Sequence, residues 1–453
     1  MTPDSDRNIG APDTRDDTAA DFAISEDAAV HTLANGLRVV HSRDEATAMV
    51  CLDVLYGVGG RDEGPEKTGI AHLFEHLMFG PSVHVPDYDG TLTAAGGRSN
   101  AWTSNDFTNF YAIAPAHNVE TLFYLESDRM LSPAFDSESL RVQRSVVTEE
   151  FKQQCLNRPY GITGHALANM MYPPTHTYSW PVIGKDPSHI AAITGEDARR
   201  WFALHYTPSN AVVAVTGNIG RDEAFALADK WFGDIPRRDA VATPPMAVPA
   251  LTSAPWVRCD DASVPATAIT MAWLTDPYGT TDYTAADAIT DALAAGAASR
   301  LYRRLIIDGD GTFSGVDASI TGSEGPGLLV VSGRLSADGY ADDDTCRRAA
   351  EILLNECNLL YGSDGVSEAE LERLQNRQRA AFRLDSLDYV GRAAALALAV
   401  YHRETPDAQL RRYCALTGAD MRRVAQQLFS NSLHGTLIVG PPKPKQFISP
   451  PSI

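Results

Sequence analysis

Gly69-Ile70-Ala71-His72-Leu73-Phe74-Glu75-His76-Leu77-Met78-Phe79 is the stretch on which the reading of this chain turns. At about 100° per residue, positions i, i+3 and i+4 share one face of a helix. A helix over these residues sets His72 and His76 side by side with Glu75 between them. Two imidazole nitrogens and a carboxylate then meet in one place, as a metal-dependent hydrolase requires. The flanking Ile70, Leu73, Phe74, Leu77, Met78 and Phe79 are apolar, so the helix is expected to be buried nearly all round. Its polar side chains then need partners.

The order H-x-x-E-H reverses the commoner H-E-x-x-H and is the signature of inverzincins. Three fixed positions recur by chance, so on the motif alone both histidines also read as ordinary core or surface residues. Zinc in a catalytic site takes three protein ligands and leaves the fourth position to water. Two histidines therefore need a third ligand from elsewhere. Arg144-Ser145-Val146-Val147-Thr148-Glu149-Glu150-Phe151, read as the first turns of a helix after the loop Pro133 to Asp136, offers Glu149 and Glu150.

With this second acidic stretch the chain resembles the pitrilysin family of metallopeptidases, in particular its short bacterial members and the mitochondrial processing peptidase subunits. The resemblance runs from about Val30 to Pro442 and rests on further stretches. Asn35-Gly36-Leu37-Arg38-Val39-Val40 looks like the family's opening strand, and Gly96 to Ser104 like its substrate-binding edge strand. Trp180-Pro181-Val182-Ile183-Gly184, Tyr206 to Ala211 and Trp231 to Pro236 fit the later part of its first domain. The resemblance implies that His72, His76 and Glu150 hold Zn2+, Glu150 standing 74 positions after His76 in the pattern V-V-x-x-E. It implies that Glu75 is the general base, and that Asn100 and Ala101 contact the backbone of a peptide added as a strand. Gln143 departs from the pattern, since many relatives carry an acidic residue there that supports the ligands from behind.

Composition fits this reading. A chain of 453 residues suits two domains of roughly 200 residues. The formal net charge of −20 argues against nucleic acid, which needs a basic surface. No run approaches the ~20 apolar residues of a membrane span, so no membrane partner is expected. Six cysteines without a C-x-x-C pair read as reduced thiols, and the expected location is the cytoplasm.

The expected fold is α+β, with two homologous domains, each a mainly antiparallel sheet packed with helices. Strand Ala48–Leu55 leads to the His/Glu helix, and Ala211–Gly217 is a buried strand followed by a helix over about 221–232. Beyond a Pro-rich stretch the order of strand, Gly-containing turn and helix returns at Ala266–Leu274, Tyr278-Gly279 and Tyr283–Leu293. The expected divisions are a disordered acidic tail (1–22), a zinc-bearing domain (23–236), a linker (237–255), a non-catalytic homologue (256–441) and a Pro-rich tail (442–453). The second copy has no H-x-x-E-H.

The function expected from these features is a zinc-dependent endopeptidase acting on peptides or unfolded segments. A narrower alternative is a peptidase that matures one precursor peptide. A reading from another class is a non-catalytic assembly subunit. The resemblance also implies an arginine and, seven residues later, a tyrosine that bind substrate from a C-terminal domain. Aligning Ser299-Arg300-Leu301-Tyr302-Arg303-Arg304-Leu305 with the family places Ile306 and Phe313 at those positions. The expected partner is therefore a homologous subunit that supplies the Arg/Tyr pair, making a heterodimer.

Overall fold

The computed structural model describes residues 22–25, 28–239, 241, 246, 248–362 and 364–444. The acidic tail up to residue 21, most of the Pro-rich tail and part of the 237–255 segment lie outside the described residues, and Phe22, expected to end the disordered tail, instead opens a strand. Seven strands build a first sheet: β1 (Phe22–Ser25), β2 (Ala28–Thr32), β3 (Arg38–Arg43), β4 (Met49–Tyr56), β5 (Arg98–Thr103), β6 (Thr108–Pro115) and β7 (Ala211–Gly217). Their order is β1-β2-β3-β7-β4-β6-β5. Five more build a second: β8 (Trp256–Asp260), β9 (Ala266–Pro277), β10 (Phe313–Ile320), β11 (Pro326–Asp338) and β12 (Gly435–Gly440). Their order is β10-β11-β9-β12-β8. All pairings are antiparallel except β3 with β7 and β8 with β12, so both sheets are mainly antiparallel within an α+β architecture.

β4 and β7 carry continuous apolar runs because both of their faces are covered. On one face Leu52 and Val54 pack with Leu73, Phe74 and the Val119–Leu131 helix. On the other, Cys51 and Leu55 meet Ala393, Leu396, Ala397 and Val400. These four residues belong to the Tyr389–His402 helix, which comes from the second half of the chain. The exchange is mutual. The Thr163–Met171 helix of the first half lies on the second sheet, where Met171 and Tyr172 pack against Ala272 and Leu328. A division at the Pro-rich segment therefore does not separate the contacts, since each sheet is covered in part by a helix from the other half.

The helix expected after Asp136 also differs in extent. It spans Ser137–Phe151 and begins where Asp136 accepts from the amides of Glu138 and Ser139. Residues 144–151 are thus its last turns rather than its first. The expectation missed the cap, and Glu150 consequently sits at the C-terminal end, next to a π-helical turn over Lys152–Leu156.

Candidate metal and peptide site

The Ile70–Leu77 helix starts at Gly69, whose φ of 88° lies in the left-handed region. A side chain there would also meet the Ile183 carbonyl at 2.9 Å, so this start suits glycine alone. No local side chain caps the helix. Glu63 does so from a distance, accepting from Gly69 N (3.0 Å), Ala71 N (2.9 Å) and Trp180 Nε1 (2.9 Å). Its oxygens satisfy free amides at the start of the helix. Burial lifts the Glu63 carboxyl to about 8. Sequence inspection missed Glu63 because it stands six positions before Gly69, outside any local capping pattern.

The helix is not buried all round. Ile70, Ala71, Leu73, Phe74 and Leu77 are buried, whereas His72, Glu75 and His76 form a half-buried polar face. His76 Nε2 lies 3.4 Å and His72 Nε2 3.8 Å from Glu150 Oε2. Among the described residues these three make the one group whose donor atoms all lie within 4.8 Å of one another. Ligands of a tetrahedral zinc with bonds of about 2.0–2.1 Å lie about 3.3 Å apart. Two neutral imidazole nitrogens and one carboxylate oxygen at these separations fit such an ion. Burial, with a smaller contribution from His76, holds the His72 imidazole down to about 4, so its ring is neutral at pH 7 with a free lone pair.

Glu149, one residue earlier, turns the other way and pairs with Lys152 at 2.6 Å. Glu150 Oε1 accepts from Gln154 Nε2 at 2.6 Å. Gln154 lies in the π-helical turn, a feature often found at functional sites. Its spacing of four from Glu150 is the one trace in the sequence of this support. On the far side, His72 Nδ1 is buried without a hydrogen-bond partner. Ligating histidines usually donate that N–H to a carboxylate or carbonyl, and Gln143 stands where the resemblance places an acid.

Glu75 accepts from Thr103 Oγ1 at 2.5 Å. Burial raises its pKa, the Thr103 hydroxyl and His76 lower it, and Glu150 raises it further. Thr103 ends β5, an edge strand of the first sheet. Asn100 and Ala101 lie in the same strand, and Asn100 Oδ1 accepts from the Ala101 amide at 2.9 Å. The turn after β5 is fixed by Asp106, which takes Arg61 Nη1 (3.1 Å), Tyr178 OH (2.5 Å) and the Glu324 amide (3.1 Å). The second half thereby touches the turn that carries β5.

Of the arginines nearest the expected pair, Arg303 is exposed and lies 3.8 Å from Asp308, and Arg304 pairs with Glu356 and Asp364; Arg300, further back, pairs with Glu370. Ile306 lies in the π-helical turn Tyr302–Ile307, and Phe313 opens β10 with its ring buried in the second core.

A paired-sheet α+β fold with an H-x-x-E-H helix beside a glutamate and an edge strand defines an inverzincin-type protein. Family models match residues 38–176, described as insulinase (peptidase family M16), and residues 192–378, described as the peptidase M16 inactive domain. The chain belongs to the M16 peptidase family. It is 27% identical over 425 residues to the zinc protease PqqE of Helicobacter pylori, spanning 90% of this chain and 92% of that one. A crystal structure of a protease from Helicobacter pylori matches with a TM-score of 0.82 at 26% identity, covering 91% of this chain and 99% of that one. A peptidase M16 inactive domain from Pseudomonas fluorescens matches with a TM-score of 0.79 over 92% of this chain and 98% of that one, at 17% identity, which speaks to the fold.

Proposed function

We propose that this chain is a zinc endopeptidase that cleaves peptides or unfolded segments laid along β5. The observation that carries the reading is the convergence of His72, His76 and Glu150, with Glu75 on the same helix face. Zinc bound there would supply a Lewis acid that lowers the pKa of a water and polarises a carbonyl. Glu75 takes the proton of the attacking water and returns it to the leaving amine. The free edge of β5 offers amides and carbonyls to an extended chain, giving affinity with little sequence preference. Asn100 and Ala101 make those contacts. The six unpaired cysteines support a reducing compartment such as the cytoplasm, and no helix among the described residues is long and apolar enough to cross a membrane.

The chain acts in a heterodimer, in this reading, with a homologous subunit supplying the Arg/Tyr pair. Support comes from Ile306 and Phe313, which have no donor for a developing oxyanion, and from Arg303 and Arg304, neither of which is followed by a tyrosine seven residues later. The test is cleavage of an unfolded peptide by the purified full chain, alone and with a candidate homologous subunit. Weak cleavage alone and restoration by the partner are expected. Robust cleavage by the chain alone would overturn the heterodimer.

A further inference from the structure

The Glu75 carboxylate has a single hydrogen-bond donor among the described residues, the Thr103 hydroxyl at 2.5 Å. The last torsion of a glutamate is broad and roughly two-fold, and a free glutamate side chain loses rotamer entropy when it is held. One short bond to a carboxylate therefore decides where Glu75 points. The donor's placement gives that bond its meaning. Thr103 is the last residue of β5, and β5 has β6 as its one strand partner among the described residues. Its neighbour Trp102 is 36% exposed, whereas Thr103 is turned inward toward the helix. The strand on which a peptide would be laid is thus tied by its own last side chain to the residue that would move the proton.

We propose that Thr103 is a positioning residue that sets Glu75 in register with a peptide bound along β5. Resting on the functional reading above, it adds a residue that no part of that reading requires. Thr103 does not touch the reacting atoms. It acts through Glu75, so replacing it leaves the metal donors and the strand edge in place.

The probe is a small hydroxamic acid, acetohydroxamate, titrated by calorimetry into the full chain loaded with zinc. Held by His72, His76 and Glu150, zinc would take the probe as its hydroxamate anion, and Glu75, placed by Thr103, would hold the proton that the O–H gives up. Affinity therefore reads the placement of Glu75 without any need for cleavage or a partner. Thr103→Val keeps the shape and removes the hydroxyl, while Thr103→Ser keeps the hydroxyl. Zinc content and melting temperature should match wild type in both. Affinity should fall about 10-fold in Thr103→Val and return to within about 2-fold in Thr103→Ser. In a Glu75→Gln background Thr103→Val should cost nothing further, since the bond it removes acts only through Glu75. Unchanged affinity in Thr103→Val, a serine variant as weak as the valine, or a full additional loss in the Glu75→Gln background would each overturn the proposal. Failure of the wild-type chain to take up zinc would instead overturn the functional reading, and the proposal with it.

Discussion

The two sheets share one plan and differ in what they place between corresponding strands. From edge to parallel pair, β5-β6-β4-β7-β3 in the first matches β10-β11-β9-β12-β8 in the second. Between β4 and β5 the first carries the short Ile70–Leu77 helix with a polar face of His72, Glu75 and His76. Between β9 and β10 the second carries the Thr281–Ala294 helix, which buries Ala285, Ala288, Ile289, Ala292 and Leu293. Its Asp291 serves Gln378 and Tyr413 as an acceptor. Apolar patterning thus builds the same scaffold twice, and the chemistry depends on a few donors that patterning does not require.

The sharpest way to break this comparison is to remove the donors. His72→Ala or His76→Ala should lose both zinc and peptide cleavage, whereas Glu75→Gln should keep zinc and lose about 10²–10⁴ in kcat. Metal analysis beside a cleavage assay of the assembled enzyme checks both, and full turnover by Glu75→Gln would remove Glu75 from the role of base. Next in size is the third ligand. Glu150→Gln should weaken zinc binding by at least about 10–100-fold, while Glu149→Gln, which severs only an exposed pair with Lys152, should leave it unchanged. The opposite ranking would show that the metal is held in another register.

The exchanged helices give a stability test. Leu396 is 4% exposed against the first sheet, so Leu396→Ala should cost about 2–5 kcal/mol. Because each half covers the other, Met171→Ala should act on the same single unfolding transition. Two separate transitions in denaturant melts would contradict this mutual covering. A smaller effect, graded with pH, separates the sheets again. β4 buries Asp53, lifted to about 7 chiefly by burial, whereas β9 buries Met271 and Trp273. A carboxyl whose folded pKa exceeds its unfolded value of about 3.9 stabilises fully below about pH 4, and that stability is lost as pH rises toward about 7. Glu63 at about 8 and Glu324 at about 7 act in the same direction. Asp53→Asn should therefore flatten the fall in unfolding free energy between about pH 4 and about pH 7, by an amount on the order of a few kcal/mol at most. Parallel curves for the two proteins would show that Asp53 does not titrate in this window.

Much of this was legible in the chain. The Ile70–Leu77 helix, strands β4 and β7, the Arg221–Phe232 helix and the return of strand, turn and helix after Ala266 follow from apolar periodicity and glycine positions. His72 and His76 follow from helical spacing, whereas the choice of Glu150 over Glu149 came from the family resemblance alone. The supporting residues were not legible. Glu63 caps a helix from six positions away, and Thr103 reaches Glu75 across 28 positions. Such contacts depend on how elements meet, which local spacing does not encode. The exchange of helices was hidden for the same reason: the run Ala393 to Val400 announces burial but not which sheet buries it.

Zinc analysis of the purified full chain, beside its His76→Ala variant, tests the central claim most directly. The account predicts about one zinc per chain in the wild type and its loss in His76→Ala, although every residue of the second sheet remains. A wild-type chain that binds no zinc, or a variant that keeps it in full, would contradict the claim that His72, His76 and Glu150 of the first half form the metal centre.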